Sequence, residues 1–178
     1  MQISEKNKPK NSFPFLWEEI EKRFMAPIGQ VTFWVYLVFG ILLLSACGIW
    51  IELGKYFFAS CKSLDGIQTA ICTFFPALAC TATMQISFSD VGKKYLKSVG
   101  LAVGFMMLLG AVGLLVLNEH IPPAISLPIG VLFSIFAILT WWIANGLDPI
   151  FYDGAGEDPT IGGDVKKDLS GSVVGFKI

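Results

Sequence analysis

The chain has 178 residues with 13 Lys and Arg against 14 Asp and Glu, a net charge of −1, and a sequence pI near 5.8. That balance argues against a protein that grips nucleic acid by itself. A hydrophobic share of 54% and a mean hydropathy of +0.65, with almost all charge outside four apolar runs, exceed what a soluble core of this size requires.

Residues 1–11 are polar and read as disordered. From Ser12, a capping residue, the spacing of Phe13, Leu16 with Trp17, Ile20 and Phe24 predicts an amphipathic helix, with Glu18, Glu21, Lys22 and Arg23 on its other faces. Such a helix either lies flat on the inner leaflet or packs on a cytosolic partner. Pro27-Ile28-Gly29 then breaks it.

Four apolar runs follow, at 31–53, 66–88, 98–117 and 124–146. Each reaches the ~20 residues that a helix needs to cross a hydrocarbon core of roughly 30 Å. The expected fold is therefore an all-α membrane protein: a cytosolic N-terminus over 1–30, a four-helix transmembrane bundle over 31–147, and an irregular cytosolic tail over 148–178. If the spans alternate, Lys6, Lys8, Lys10, Lys22, Arg23, Lys93, Lys94, Lys97, Lys166, Lys167 and Lys177 share one side, and only Lys55 and Lys62 fall on the other. Basic residues near span ends stay cytoplasmic, so both termini are expected inside.

In the first run, Trp34 and Trp50 are about 24 Å apart along a helix, which suits one indole at each interface; Trp141 and Trp142 suit the inner end of the fourth run. Leu44-Ser45-Ala46-Cys47 has the form of a lipoprotein processing box, but the apolar run continues beyond it. Cys47 is expected to be an ordinary buried cysteine.

The second run is unusually polar. Thr69, Thr73, Pro76, Cys80 and Thr83 share one face of a helix and are expected to look inward, because polar groups are costly against lipid. Close helix packing is one account of that face; a pore, a lipid cleft or a joint kinked at Pro76 is the other. In the third run Gly100, Gly104, Gly110 and Gly113 form a surface for close helix packing, within one subunit or between subunits. The short loop 118–123 makes the third and fourth runs an antiparallel hairpin, with Glu119 and His120 in a solvated turn.

No Asp, Glu, Lys, Arg or His lies inside a run, Glu52 being at an outer end, which weighs against ion-coupled transport. One His and four scattered Cys give no metal-ligand spacing, and no cofactor or catalytic residue is expected. The tail is rich in Gly, Pro and Asp and cannot fold alone. Phe151, Tyr152 and Ile161, with Gly162-Gly163-Asp164, are the expected partner-docking residues.

Thr73-Phe74-Phe75-Pro76-Ala77-Leu78 and Asp158-Pro159-Thr160-Ile161-Gly162-Gly163-Asp164, set in a plan of polar N-terminus, four spans and Gly/Asp tail, resemble the KwaA family, the small membrane subunits of the Kiwa antiphage defence system. The resemblance covers nearly the whole chain. It implies a homo-oligomeric inner-membrane component, a tetramer among the candidate forms, that contacts lipids and works with a KwaB-like cytosolic DNA-binding effector. The expected function is thus a non-enzymatic membrane sensor and scaffold for phage defence. The alternative from the residues alone is a small passive channel or pore-forming effector.

Overall fold

A computed structural model describes residues 13–58, 63–88, 94–117 and 120–153. Within them the chain is helical throughout: α1 (Phe13–Met25), a 3-10 turn (Ala26–Gly29), α2 (Val31–Val35), a π-helical stretch (Tyr36–Ser45), α3 (Cys47–Phe58), α4 (Asp65–Phe88), α5 (Lys94–Val116), α6 (Pro123–Asn145) and a final 3-10 turn (Pro149–Phe151). Three helices, α4, α5 and α6, are long and apolar enough to cross a membrane; Phe13–Gly29 with Val31–Ser45 forms a fourth candidate, bent by 93°. This is the pattern of a multi-pass membrane protein.

The first apolar run is not the regular helix expected from its composition. Its buried positions, Phe33, Leu37, Ile41 and Ala46, recur every four or five residues, longer than the 3.6-residue α period. The wider i→i+5 turn keeps that one face against the bundle. Two side chains cover carbonyls along it: Ser45 Oγ donates to Gly40 O at 2.9 Å and the Trp50 indole to Leu42 O at 2.7 Å. Cys47 is exposed on this segment, contrary to the buried position expected for it; Cys72 is the buried cysteine. A small thiol is apolar enough for an outward face.

Helix α4 is the hub and packs against α5, α6 and α3. It runs unbroken through Pro76. Its polar side chains act as interhelical glue. Gln68 is 2% exposed; it accepts from Ser126 Oγ of α6 at 3.0 Å and donates to Leu114 O of α5 at 3.5 Å. At the opposite end Asn145 Nδ2 of α6 donates to Gln85 Oε1 at 2.9 Å. In an apolar surrounding such bonds hold helices that have no hydrophobic drive to associate.

The glycines of α5 serve this packing inside the chain. A Cβ on Gly104 would meet Thr83 Oγ1 at 2.9 Å, one on Gly110 would meet Phe133 at 2.9 Å, and one on Gly100 would make ordinary contact with Ile86 and Thr83 at 3.6–3.8 Å. Gly113 faces open space. Gly104→Leu should therefore lower stability in detergent by about 1–3 kcal/mol, the usual cost of overpacking. Gly113→Leu should leave it unchanged. Thermal unfolding of both variants checks the assignment, and a Gly104→Leu chain as stable as the parent would refute it.

Candidate functional site

The described polar groups concentrate where α1 meets the end of α6. Four backbone carbonyls at a helix C-terminus lack intrahelical donors and carry the negative end of the macrodipole. Arg23 of α1 answers that need: Nη1 lies 3.5 Å from Ile143 O and 3.4 Å from Ala144 O. Its Nε donates to Glu19 Oε1 at 3.0 Å, one helical turn back. Both side chains are buried, at 3% and 8% exposure. The reverse bond also exists, since the Trp142 indole donates to Phe24 O at 3.0 Å and the two rings stack at 5.4 Å. Gly146 permits the approach: a Cβ there would lie 1.9 Å from Arg23 O.

This contact turns toward the bundle a flank of α1 for which the sequence predicts no own-chain neighbour. The face turned to the protein is Leu16, Glu19, Ile20 and Arg23, spaced i, i+3, i+4 and i+7, and the charged pair lies at its centre. Phe13 at 78% and Trp17 at 70% stay exposed, as a face meant for a leaflet or a partner would be. Arg23, expected on a face other than the apolar one, is thus drawn into the protein by charge-assisted bonds to the α6 carbonyls.

The segment after α6 folds onto the same end. Phe151 is 7% exposed and packs against Phe33, Tyr36 and Trp141 with ring centroids 5.6, 5.1 and 6.0 Å away. Tyr152 donates through its hydroxyl to Gly146 O at 3.3 Å. Asp153 then caps the first residues of α2: its carboxylate accepts from Val31 N–H at 2.5 Å, from Thr32 N–H at 3.0 Å, and from the Thr32 hydroxyl. The Asp153 amide donates to Gln30 Oε1 at 2.8 Å. Phe151 and Tyr152, expected as docking anchors for a partner, are here committed to the chain's own bundle; Ile161, Gly162, Gly163 and Asp164 lie outside the described residues.

The polar stripe of α4 divides rather than facing inward as a unit. Thr83 and Pro76 are buried and Cys80 is half-buried, whereas Thr69 and Thr73 are exposed. The stripe straddles the edge of the buried face, whose centre is set by Phe75, Ala79, Ala82 and Ile86. Thr83 Oγ1 sits 2.8 Å from Ala79 O and 3.1 Å from Gly100 O, and Cys80 Sγ is 4.0 Å from Gly104 O. Thr73 and Thr81 line a lateral groove of about 310 Å³ against Ser45 and Gly48 of the first span. Their hydroxyls donate to Ala70 O and Ala77 O of their own helix, at 2.9 and 2.8 Å.

In comparisons with known proteins, no family model matches the chain, and neither a curated protein nor a solved structure is significantly similar to it.

Sequence reasoning missed Glu19, Arg23, Gln85, Asn145, Gly146 and Asp153. An i, i+4 acid–base pair was visible at Glu19 and Arg23. The others act through contacts about 60 to 120 residues away in the chain, for which no local signal exists.

Hydrogen bonds from the Thr32 hydroxyl, then from the Thr32 and Val31 amides, hold the Asp153 carboxyl below its ordinary value of 3.8, with desolvation acting the other way. A depressed folded-state value means the cap is complete above pH 3.8 and is lost as the pH falls through the folded value. Protease cleavage after Phe151 should thus be slow at neutral pH and rise on acidification below 3.8. Asp153→Ala should cleave fast at neutral pH. Equal cleavage of variant and parent at pH 7 would refute the latch.

Proposed function

We propose that the chain is a four-span inner-membrane scaffold with both termini in the cytoplasm, non-enzymatic, which holds its C-terminal segment at the membrane surface to recruit a soluble effector. The 11:2 partition of Lys and Arg favours the orientation in which α1 and the end of α6 lie inside. The 93° turn between the α1 segment and the first span, with Phe13 and Trp17 exposed, suits a helix lying along the inner leaflet better than one docked on a soluble partner.

The observation that carries the scaffold role is the anchoring of Phe151 and Asp153 beside α2. The described chain thus ends at a fixed point beside α2. A tethered segment meets its partner at high effective concentration and with less orientational freedom to lose. The resemblance to the KwaA family supplies the effector class: a KwaB-like cytosolic DNA-binding protein, recruited in response to phage infection at the envelope, with the membrane subunit acting as a homo-oligomer.

The test is a chain truncated after Asp153, which keeps the latch and removes only 154–178. Insertion and thermal stability should stay unchanged, while pull-down of the effector from membranes and protection against phage should both be lost. Persistent protection accompanied by membrane depolarisation would replace the scaffold by a pore. Cysteine labelling should find Met25 positions accessible from the cytoplasm and His120 positions from outside; the reverse would overturn the orientation alone.

A further inference from the structure

The first span is docked at both of its ends. At the inner end Phe33 of α2 packs against Trp141, Trp142 and Phe151, Tyr36 packs on Phe151 at 5.1 Å, and the Asp153 carboxylate holds the Val31 and Thr32 amides. At the outer end α3 packs on α4, with Leu53 and Tyr56 partly buried against the core and the Glu52 carboxylate lying on Gly66 at the start of α4. The ten π-helical residues Tyr36–Ser45 join the two.

These dockings are compatible only in the wider register. Phe33 and Ala46 are both buried in the bundle, at 0% and 7% exposure. At 3.6 residues per turn, the advance from Phe33 would carry Ala46 about 140° away from the face that Phe33 occupies. An α-helical first span could therefore keep α2 docked or α3 docked, but not both. Helices rarely hold an i→i+5 ladder beyond a single turn, so ten residues of it mark a stretch kept in that register by its two ends. The polar side chains along this stretch and across from it are spent within their own helices: Ser45 donates to Gly40 O and Trp50 to Leu42 O, while Thr73 and Thr81 of α4 donate to Ala70 O and Ala77 O. The lateral groove of about 310 Å³ between them leaves Ile41, Ser45 and Ile49 room to turn.

We infer that Tyr36–Ser45 is a register switch that sets the docking of α3 against the docking of α2 and the C-terminal segment. In the π register both ends are docked, and in the α register one is released. Firm docking at one end thus weakens the other, and loosening one end strengthens the other by the same factor, because both bias a single two-state element. An event that frees α3 at the outer end of the span would tighten Phe151 and Asp153 at the inner end. The inference rests on helical register and not on the scaffold role or its partner.

Limited proteolysis after Phe151 and hydrogen exchange read the two ends in the full-length chain in detergent. Leu53→Ala weakens the hold of α3. It should slow cleavage after Phe151 by about three- to tenfold, the factor that half of a leucine's burial supplies, whereas a span without the switch would be cleaved as fast as the parent or faster. Reciprocally, Asp153→Ala should slow exchange of the α3 amides. Leu43 and Leu44, at 45% and 74% exposure, face outward, so deleting both removes no core side chain. The deletion also brings Phe33 and Ala46 to within about 20° of one face of an α-helix. Both ends can then dock in the α register: cleavage should be slower than in the parent, and adding Leu53→Ala should no longer slow it. Unchanged or faster cleavage in Leu53→Ala, faster α3 exchange in Asp153→Ala, or a slowing by Leu53→Ala that survives the deletion would overturn the switch.

Discussion

A helix that ends inside a packed bundle leaves carbonyls that need donors, and buried ones cannot take them from water. The end of α6 meets this constraint by borrowing a guanidinium from α1, more than 100 residues earlier. Much of the architecture at this end follows. Arg23 can reach Ile143 and Ala144 only if α1 lies across the bundle, so the chain must turn sharply before the first span. The turn passes through Ala26–Gly29 with Pro27 buried, and Gln30, at its exit, receives the Asp153 amide. Glu19 is buried for the same reason, since an unpaired guanidinium at 3% exposure would be far costlier than the pair.

The aromatic cluster completes what the polar contacts begin. Phe33 contacts Trp141, Trp142 and Phe151 at centroid distances of 5.4, 4.9 and 5.6 Å, so α2, α6 and the segment after α6 share one buried ring assembly. Aromatic pairs in edge and tilted arrangements add to area burial, and they place Asp153 where the free amides of α2 begin. The far end of the bundle is held differently, by Gln68 between Leu114 and Ser126. The two ends thus use the same physics with different side chains: polar groups that cannot be left in hydrocarbon become the bonds that set helix order.

The apolar runs were legible because span length and hydropathy are local properties; 66–88 and 98–117 fall on α4 and α5 within a few residues. The packing role of Gly104 was legible for the same reason, though whether its neighbour lay within the chain was not. The π-helical stretch was hidden, since nothing in Leu42-Leu43-Leu44 distinguishes a five-residue ladder from a four-residue one. Arg23 was placed on the polar side of α1 by its spacing, and its acceptors, contributed by α6, could not be foreseen from that. Phe151 carried the composition of an exposed anchor, yet its aromatic neighbours sit in α6 and in the first span. The last two failures concern groups whose partners are remote in sequence.

The central claim is that the Glu19–Arg23 pair, by closing the end of α6, fixes α1 and everything that leans on it. Hydrogen exchange of the full-length chain in detergent, compared between the parent, Arg23→Gln and the double variant Glu19→Gln/Arg23→Met, tests this directly. Removing Arg23 alone leaves the Glu19 carboxylate buried without its guanidinium and should cost about 3–5 kcal/mol, whereas the double change, which removes both charges, should cost less. Exchange in Arg23→Gln should accelerate together in α1 and in the last turn of α6, with α4 unaffected. Acceleration confined to α1, or none in either helix, would contradict the account.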